Sequence, residues 1–296
     1  MDVSIIIVNY NTKELLANCI ASIYRNTKDV NFEIIIVDNA SIDGSQEFVK
    51  ENFPEVLLIE SKENLGFGKA NNLGAEFAKG EHLFLLNSDT ILLNNAVFHF
   101  LDFYRKNSNL NIGCLGSMLV DEKEDFIHSA EKFPFKRKII FNVINNYLSK
   151  LFRFPFTKYI PKFDNNSYLE VDYITGADLF LTKDLFFKAG KFDPIFFMYF
   201  EETDLQLQIH KLELKRYLIK DPKIIHLEGA SVAEEDFSAK KRIMINDGMF
   251  KYFRKNSFIL NYYMFRFVYL IVRLPVLVDK RLTLKEKSQF FISLIS

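Results

Sequence analysis

Tryptophan is absent from the sequence, and cysteine occurs only twice, at Cys19 and Cys114. Two cysteines so far apart provide neither a disulfide framework nor a metal-ligand spacing, a pattern that fits a reducing, cytosolic setting. Charge of one sign is also lacking. Lys and Arg number 38 and Asp and Glu number 38, for a formal net charge of zero. Nucleic-acid binding driven by bulk positive charge is thereby excluded. Glycine is missing from the turn after the first apolar run, which reads Asn9-Tyr10-Asn11-Thr12. A dinucleotide-binding Rossmann domain needs glycines there to admit a pyrophosphate, and no Walker motif occurs elsewhere. The opening run Ile5–Val8 is too short for a signal-peptide core, and Asp2 stands where a basic region belongs. The expected location is the cytoplasm, extending to the inner face of the cell membrane.

What is present is a core-forming composition, 49% hydrophobic, with a clean alternation of elements over the first ninety residues. Val3–Val8, Glu33–Val37, Val56–Ile59 and His82–Leu86 are apolar runs without alternation, as expected for strands buried on both faces of a parallel sheet. Helical spacing marks Lys13–Tyr24, Ser45–Asn52 and Gly68–Ala78. Further on, Ile112–Leu119, Leu169–Leu181 and Arg216–Ile219 read as strands. Asp184–Ala189 and Leu205–Leu214 read as helices. The predicted class is α/β, a Rossmann-like mixed and mainly parallel sheet flanked by helices. In such sheets ligands bind beyond the carboxyl ends of the strands. That rule selects Asn9–Thr12, Asp38–Ser41 and Asn87–Thr90 without any further knowledge.

Each candidate has two readings. Asp38 is either a turn former for Ser41-Ile42-Asp43-Gly44 or an acceptor for a nucleobase N–H or a ribose hydroxyl. Asp89 is either a capping residue or a hard oxygen ligand for Mg2+, which characteristically takes one or two carboxylates plus substrate phosphates. Glu201, Glu202 and Asp204 follow the aromatic run Phe196–Phe200. They either complement a helix dipole or include a general base with a pKa raised by an apolar wall. His226 is either a satisfied structural histidine or an imidazole ligand.

The ordered series of segments resembles the inverting family 2 glycosyltransferases of the GT-A fold, in particular the rhamnosyltransferase-like branch. The resemblance covers roughly residues 2–232. It rests on Ser4–Asn11, Val37–Ser45, Asn64–Asn72, Leu86–Thr90, Gly176–Asp178, Gly190–Asp193, Tyr199–Leu205 and His226–Ser231. It implies that Asp38 contacts a uracil or thymine base. It also implies that Asn9, Asn11, Asn39, Gly66, Asn71, Ser88 and Gly176 line the nucleotide sugar. Asp89 corresponds to the last acid of the family's DXD motif, and with His226 would bind Mg2+ or Mn2+. Glu202 matches the general base, with Glu201 and Asp204 beside it. Two departures stand out. Asn87-Ser88-Asp89 leaves one carboxylate at the metal, and Gln208 replaces a frequent arginine. The Gln-x-x-Arg-Trp signature of processive synthases is absent, which implies transfer of a single sugar.

The resemblance implies a nucleoside-diphosphate sugar donor, UDP- or dTDP-linked, and a glycan or lipid-linked acceptor in cell-surface polysaccharide synthesis. The alternative is a nucleotide-sugar-binding protein of the same fold with impaired catalysis. The expected organisation is a catalytic domain over 1–232 and a helical C-terminal extension over 233–296. The stretch 132–163 forms an insert in the first, with eight Lys and Arg and no acid. That insert and the apolar stretch 258–278 either pack on the core or contact an anionic membrane surface.

Overall fold

The computed structural model describes residues 1–152, 163, 167–227, 239–278 and 282–295. In chain order the elements are β1 (Val3–Asn9), α1 (Lys13–Asn26), β2 (Phe32–Asp38), α2 (Ser45–Asn52), β3 (Leu57–Glu60), α3 (Phe67–Phe77), β4 (His82–Asn87), β5 (Thr90–Leu92) and α4 (Ala96–Lys106). They continue with β6 (Ile112–Ser117), β7 (Ala130–Glu131), α5 (Lys136–Phe152), β8 (Tyr168–Val171), β9 (Tyr173–Ile174), β10 (Asp178–Thr182) and α6 (Lys183–Lys188). The last are α7 (Glu201–Lys211), β11 (Lys215–Ile219), β12 (Ile224–His226), α8 (Ala239–Lys255), α9 (Ile259–Arg273) and α10 (Leu284–Ile295).

The central sheet has eight strands in the order β3-β2-β1-β4-β10-β6-β11-β8. β1, β2, β3 and β4 run parallel, whereas β10 runs antiparallel to both β4 and β6. Ile5, Ile6, Ile7, Ile35 and Ile36 are fully buried, as unalternating apolar strands require when both faces of a sheet are covered. One cluster packs α1 and α4 against one face of the sheet; the other brings α3, α6 and α7 residues onto the second. The sheet is thus mixed, mainly parallel and flanked by helices, with helices following at the C-terminal end.

The predicted strand Leu169–Leu181 is three short strands instead. β8 and β10 lie in the central sheet, while β9 between them pairs with β7. The helix predicted over Leu205–Leu214 starts earlier, so Glu201, Glu202 and Asp204 lie in the first turn of α7. α4, not among the predicted elements, buries Val97, Phe100 and Leu101 at helical spacing after its N-cap Asn95.

Contacts divide the chain into two compact units. The first comprises Met1–Lys132, Ile160–Phe197 and Glu201–Glu234. The second comprises Phe133–Tyr159, Met198–Phe200 and Glu235–Ser296. Residues 133–159 of the basic, aromatic stretch thus group with the C-terminal helices. Its members Arg153, Phe154, Phe156, Lys158 and Lys162 lie outside the described residues, as does Glu228–Ser231 of the closing motif.

Candidate active site

The register of the sheet decides which loops meet. Asn9 pairs with Asp38, and Val8 with Asn87, so the ends of β1, β2 and β4 share one edge. β10 runs the other way, with Asp178 opposite Leu86. Its beginning, not its end, therefore lies at that edge, and Gly176 arrives with it.

The loops after β1 and β2 are fastened to each other. Asn9 donates from Nδ2 to Asp38 Oδ2 (2.8 Å) and Ser41 Oγ (3.1 Å), and its Oδ1 accepts from Thr12 Oγ1 (2.7 Å). Asp38 Oδ1 accepts from the Ser41 backbone N–H (2.8 Å) and from Gln46 Nε2 (2.7 Å). These bonds hold the turn that follows Asp38. Three donors occupy a carboxylate able to accept about four hydrogen bonds, and Asp38 is 1% exposed. Asn39 joins this loop to the next by donating to the Gly66 carbonyl (3.3 Å) and accepting from the Leu65 N–H (3.4 Å). Asn71 donates to the Phe67 carbonyl within α3 (3.1 Å). Asn9, Asp38 and Asn39, all buried, thus fasten the strand-end loops to one another, while the Asn71 side chain bonds within its own helix. Asn11 stays exposed, with φ of 54°. Beside it Tyr10 is 48% exposed, an aromatic face in the same loop to which sequence reading gave no role.

Gly66 has φ of 80°, and a Cβ there would lie 2.2 Å from the Phe197 carbonyl oxygen. The same carbonyl accepts from the Phe67 N–H at 3.1 Å. Only glycine combines that backbone conformation with so close an approach.

Asp89 follows β4 and is 3% exposed. Its carbonyl accepts from the Leu227 N–H (2.9 Å), and its Oδ1 lies 3.3 Å from His226 Nε2. The Asn87 amide nitrogen lies 3.4 Å from the same ring nitrogen. The two-stranded ribbon of β5 and β12 makes this possible by pairing Thr90 with His226. Neighbouring Ser88 bonds Thr12 through the hydroxyls (3.1 Å). Among the described residues no group of three or more His, Cys, Asp or Glu gathers as a metal site, so Asp89 and His226 form a two-member set. Two ligands about 2.1 Å from one cation, at right angles, are about 3.0 Å apart. The observed 3.3 Å is compatible with that arrangement. Cys19 belongs to the packing instead. Burial pushes its thiol up to about 12, and its Sγ contacts the Asn87 carbonyl and Thr90 hydroxyl.

α7 presents the acidic triplet in its first turn. Glu201 and Asp204 are 4% and 1% exposed, whereas Glu202 is half-buried and reaches solvent. Asp204 accepts from Gln208 Nε2 at 3.4 Å, the residue standing where an arginine is frequent. The position a Cβ would take on Gly176 is 3.7 Å from both Cβ and Cγ of Glu202 and 3.6 Å from the Phe67 ring. Gln206 sets this placement. Its amide accepts from the Ile174 N–H (2.8 Å) and donates to the Ile174 carbonyl (2.7 Å), so it completes the edge of β9 as another strand would. Sequence reading missed Gln206 because a polar residue inside a helix carries no sign of a backbone partner 32 positions away.

Asp178 is fully buried. Oδ2 accepts from both the N–H and the hydroxyl of Ser117 at 2.6 Å, while Oδ1 has no hydrogen-bond partner. Burial pushes its carboxyl up to about 7, against the Ser117 bonds that favour the ionised form.

A mixed sheet of this order, matched over its whole length by S. aureus TarS, is a GT-A fold. The crystal structure of TarS covers 100% of this chain with a TM-score of 0.54 at 14% identity; 49% of that protein is covered. The chain belongs to glycosyl transferase family 2, whose model matches residues 4–167. It is 31% identical over 121 residues to the poly(ribitol-phosphate) beta-glucosyltransferase of Bacillus spizizenii, covering 39% of this chain and 19% of that one. It is 35% identical over 100 residues to glycosyltransferase GlyG of Streptococcus pneumoniae, covering 32% of each. Chondroitin synthase of Escherichia coli matches at 30% over 135 residues, 45% of this chain and 19% of that enzyme. The chain thus spans only a fifth to a third of the length of these relatives.

Proposed function

We propose that the chain is an inverting glycosyltransferase. It moves one sugar from a UDP- or dTDP-linked donor to a hydroxyl of a glycan or lipid-linked acceptor, in the cytoplasm. Polysaccharide synthesis is favoured by relatives whose names specify poly(ribitol-phosphate) and chondroitin. The observation that carries the reading is the unequal exposure of the acidic triplet. Glu202 alone of the three reaches solvent, beside Gly176 at the edge where strand-end loops gather.

Glu202 takes the proton of the acceptor hydroxyl as that oxygen bonds to the anomeric carbon. The bond from that carbon to the diphosphate breaks on the opposite face, and the nucleoside diphosphate leaves with its electron pair. Glu201 and Asp204, both buried, hold the turn that presents Glu202. Asp89 and His226 would hold a Mg2+ or Mn2+ ion together with substrate phosphates. When bound, the ion supplies Lewis-acid stabilisation of the leaving diphosphate. Exposed Asn11 and the ring of Tyr10 offer the nucleobase an amide and a stacking face. Asp38, with Asn9 and Asn39, keeps the loop in shape.

A nucleotide-sugar-binding protein with impaired catalysis is favoured by a single observation, the two-member Asp89–His226 set. Screening UDP- and dTDP-sugars by thermal shift with Mn2+, then assaying sugar release and transfer, separates the two. Donor-dependent stabilisation with turnover supports the transferase. Stabilisation without release or transfer supports the binding protein.

A further inference from the structure

The chain's zero net charge conceals a segregation. The segments 133–159, 198–200 and 235–296, which cluster as one unit, contain eighteen Lys and Arg against five Asp and Glu. The remainder holds twenty against thirty-three. Within the basic unit, α9 has two faces of different chemistry. Tyr262, Phe265 and Tyr269 are buried. The two arginines that interrupt the apolar sequence turn inward with them. Arg266 donates to the Leu294 carbonyl (3.1 Å) and the Tyr262 hydroxyl (3.2 Å), and its guanidinium lies over Phe250. Arg273 donates to the Tyr269 hydroxyl from Nε and Nη2 at 2.9 and 2.8 Å and lies over the Tyr269 and Phe290 rings.

What remains outside is uncharged and, apart from Asn261, apolar. Leu260, Tyr263, Met264, Phe267, Ile271 and Leu274 are each between 43% and 69% exposed, and no exposed residue of α9 carries a charge. On α5, which packs against α9, Phe141 and Ile144 are also exposed. Exposed cations flank the patch in sequence: Arg137 and Lys138 in the first turn of α5, Arg254 and Lys255 at the end of α8 just before α9.

We infer that the outer face of α9 docks on an anionic lipid bilayer, with the helix lying along the interface. Contiguous apolar surface of this kind marks an interaction site, and cations around an apolar helical face are attracted to anionic headgroups. Ile259–Val276 is the one helix among the described residues long and apolar enough to span a membrane by composition. One feature favours lying over crossing: one whole face, with both arginines, is held against α8 and α10. A second copy of the chain is a poorer occupant, because it would bring two strongly basic units together. The inference goes beyond the proposed chemistry and does not depend on Glu202.

The test is flotation of the full chain with phosphatidylcholine vesicles, with and without phosphatidylglycerol, at low and high salt. The expected result is binding to the anionic vesicles that weakens with salt, with far less on neutral ones. Substituting Met264→Glu together with Phe267→Glu changes exposed positions only. It should lower the bound fraction about tenfold or more while leaving the melting temperature and sedimentation unchanged. Absence of binding at low salt overturns the inference, as does unchanged binding by the double variant. So does a concentration-dependent dimer that the double variant abolishes.

Discussion

Asp89 Oδ1 and His226 Nε2 stand 3.3 Å apart, though 137 positions separate the two residues in the chain. The β5–β12 ribbon holds them there by pairing Thr90 with His226. If the pair and substrate phosphates share a cation, Mn2+ should raise the melting temperature further with a nucleoside diphosphate than without it. EDTA should abolish turnover. Asp89→Asn and His226→Ala should each weaken the Mn2+ response about 10- to 100-fold, measured by titrating Mn2+ against melting temperature. A full response in both variants would assign the cation elsewhere.

Gly66→Ala should destabilise the protein by about 1–3 kcal/mol. The added Cβ would meet the Phe197 carbonyl, and the φ of 80° disfavours any L side chain. Urea unfolding reads this directly; a change within 0.3 kcal/mol or so of zero would show that the loop yields freely.

Tyr199 and Phe200 carry φ of 70° and 71°, a strained pair immediately before Glu201. α8 supports that backbone closely, since a Cβ on Gly248 would lie 2.5 Å from the Tyr199 carbonyl oxygen. Gly248→Ala should therefore disturb the entry to α7. We expect kcat to fall about tenfold or more with a smaller change in donor affinity. Equal kcat for variant and parent would separate this backbone from the chemistry.

Asp178 sets a pH dependence. Its carboxyl, at about 7 against an ordinary 3.8, binds its proton more tightly in the folded than in the unfolded state. Between those values the folded chain holds more protons, so this residue's contribution to stability declines as pH rises, then levels off above about 7. Asp178→Asn keeps an oxygen for Ser117 and removes the titration. The variant should gain on the parent between pH 4 and 8 in urea unfolding; parallel curves would contradict the assignment.

The sequence made the first sheet strands legible because short runs rich in β-branched residues, such as Ile5–Val8, favour strands over helices. It also marked the strand-end residues, since a polar residue after such a run has to stand at the sheet's edge. It did not show that Asn9 and Asp38 bond each other or that Asn39 bonds the Leu65–Gly66 backbone, because a donor's partner is set by register. For the same reason Gln206 and its bonds to Ile174 stayed hidden. The split of Leu169–Leu181 into three strands depends on β10 reversing between β4 and β6, a long-range pairing that local pattern does not encode. Nor did the apolar stretch 258–278 reveal that Arg266 and Arg273 both face inward.

The central claim is that Glu202 is the general base, and Glu202→Gln tests it most directly. The substitution keeps size and changes a half-buried, solvent-reaching side chain, so the variant should melt as the parent does and retain donor binding with Mn2+. Sugar transfer should fall about 100-fold or more. Transfer at the parent's rate, with donor binding intact, would contradict the account.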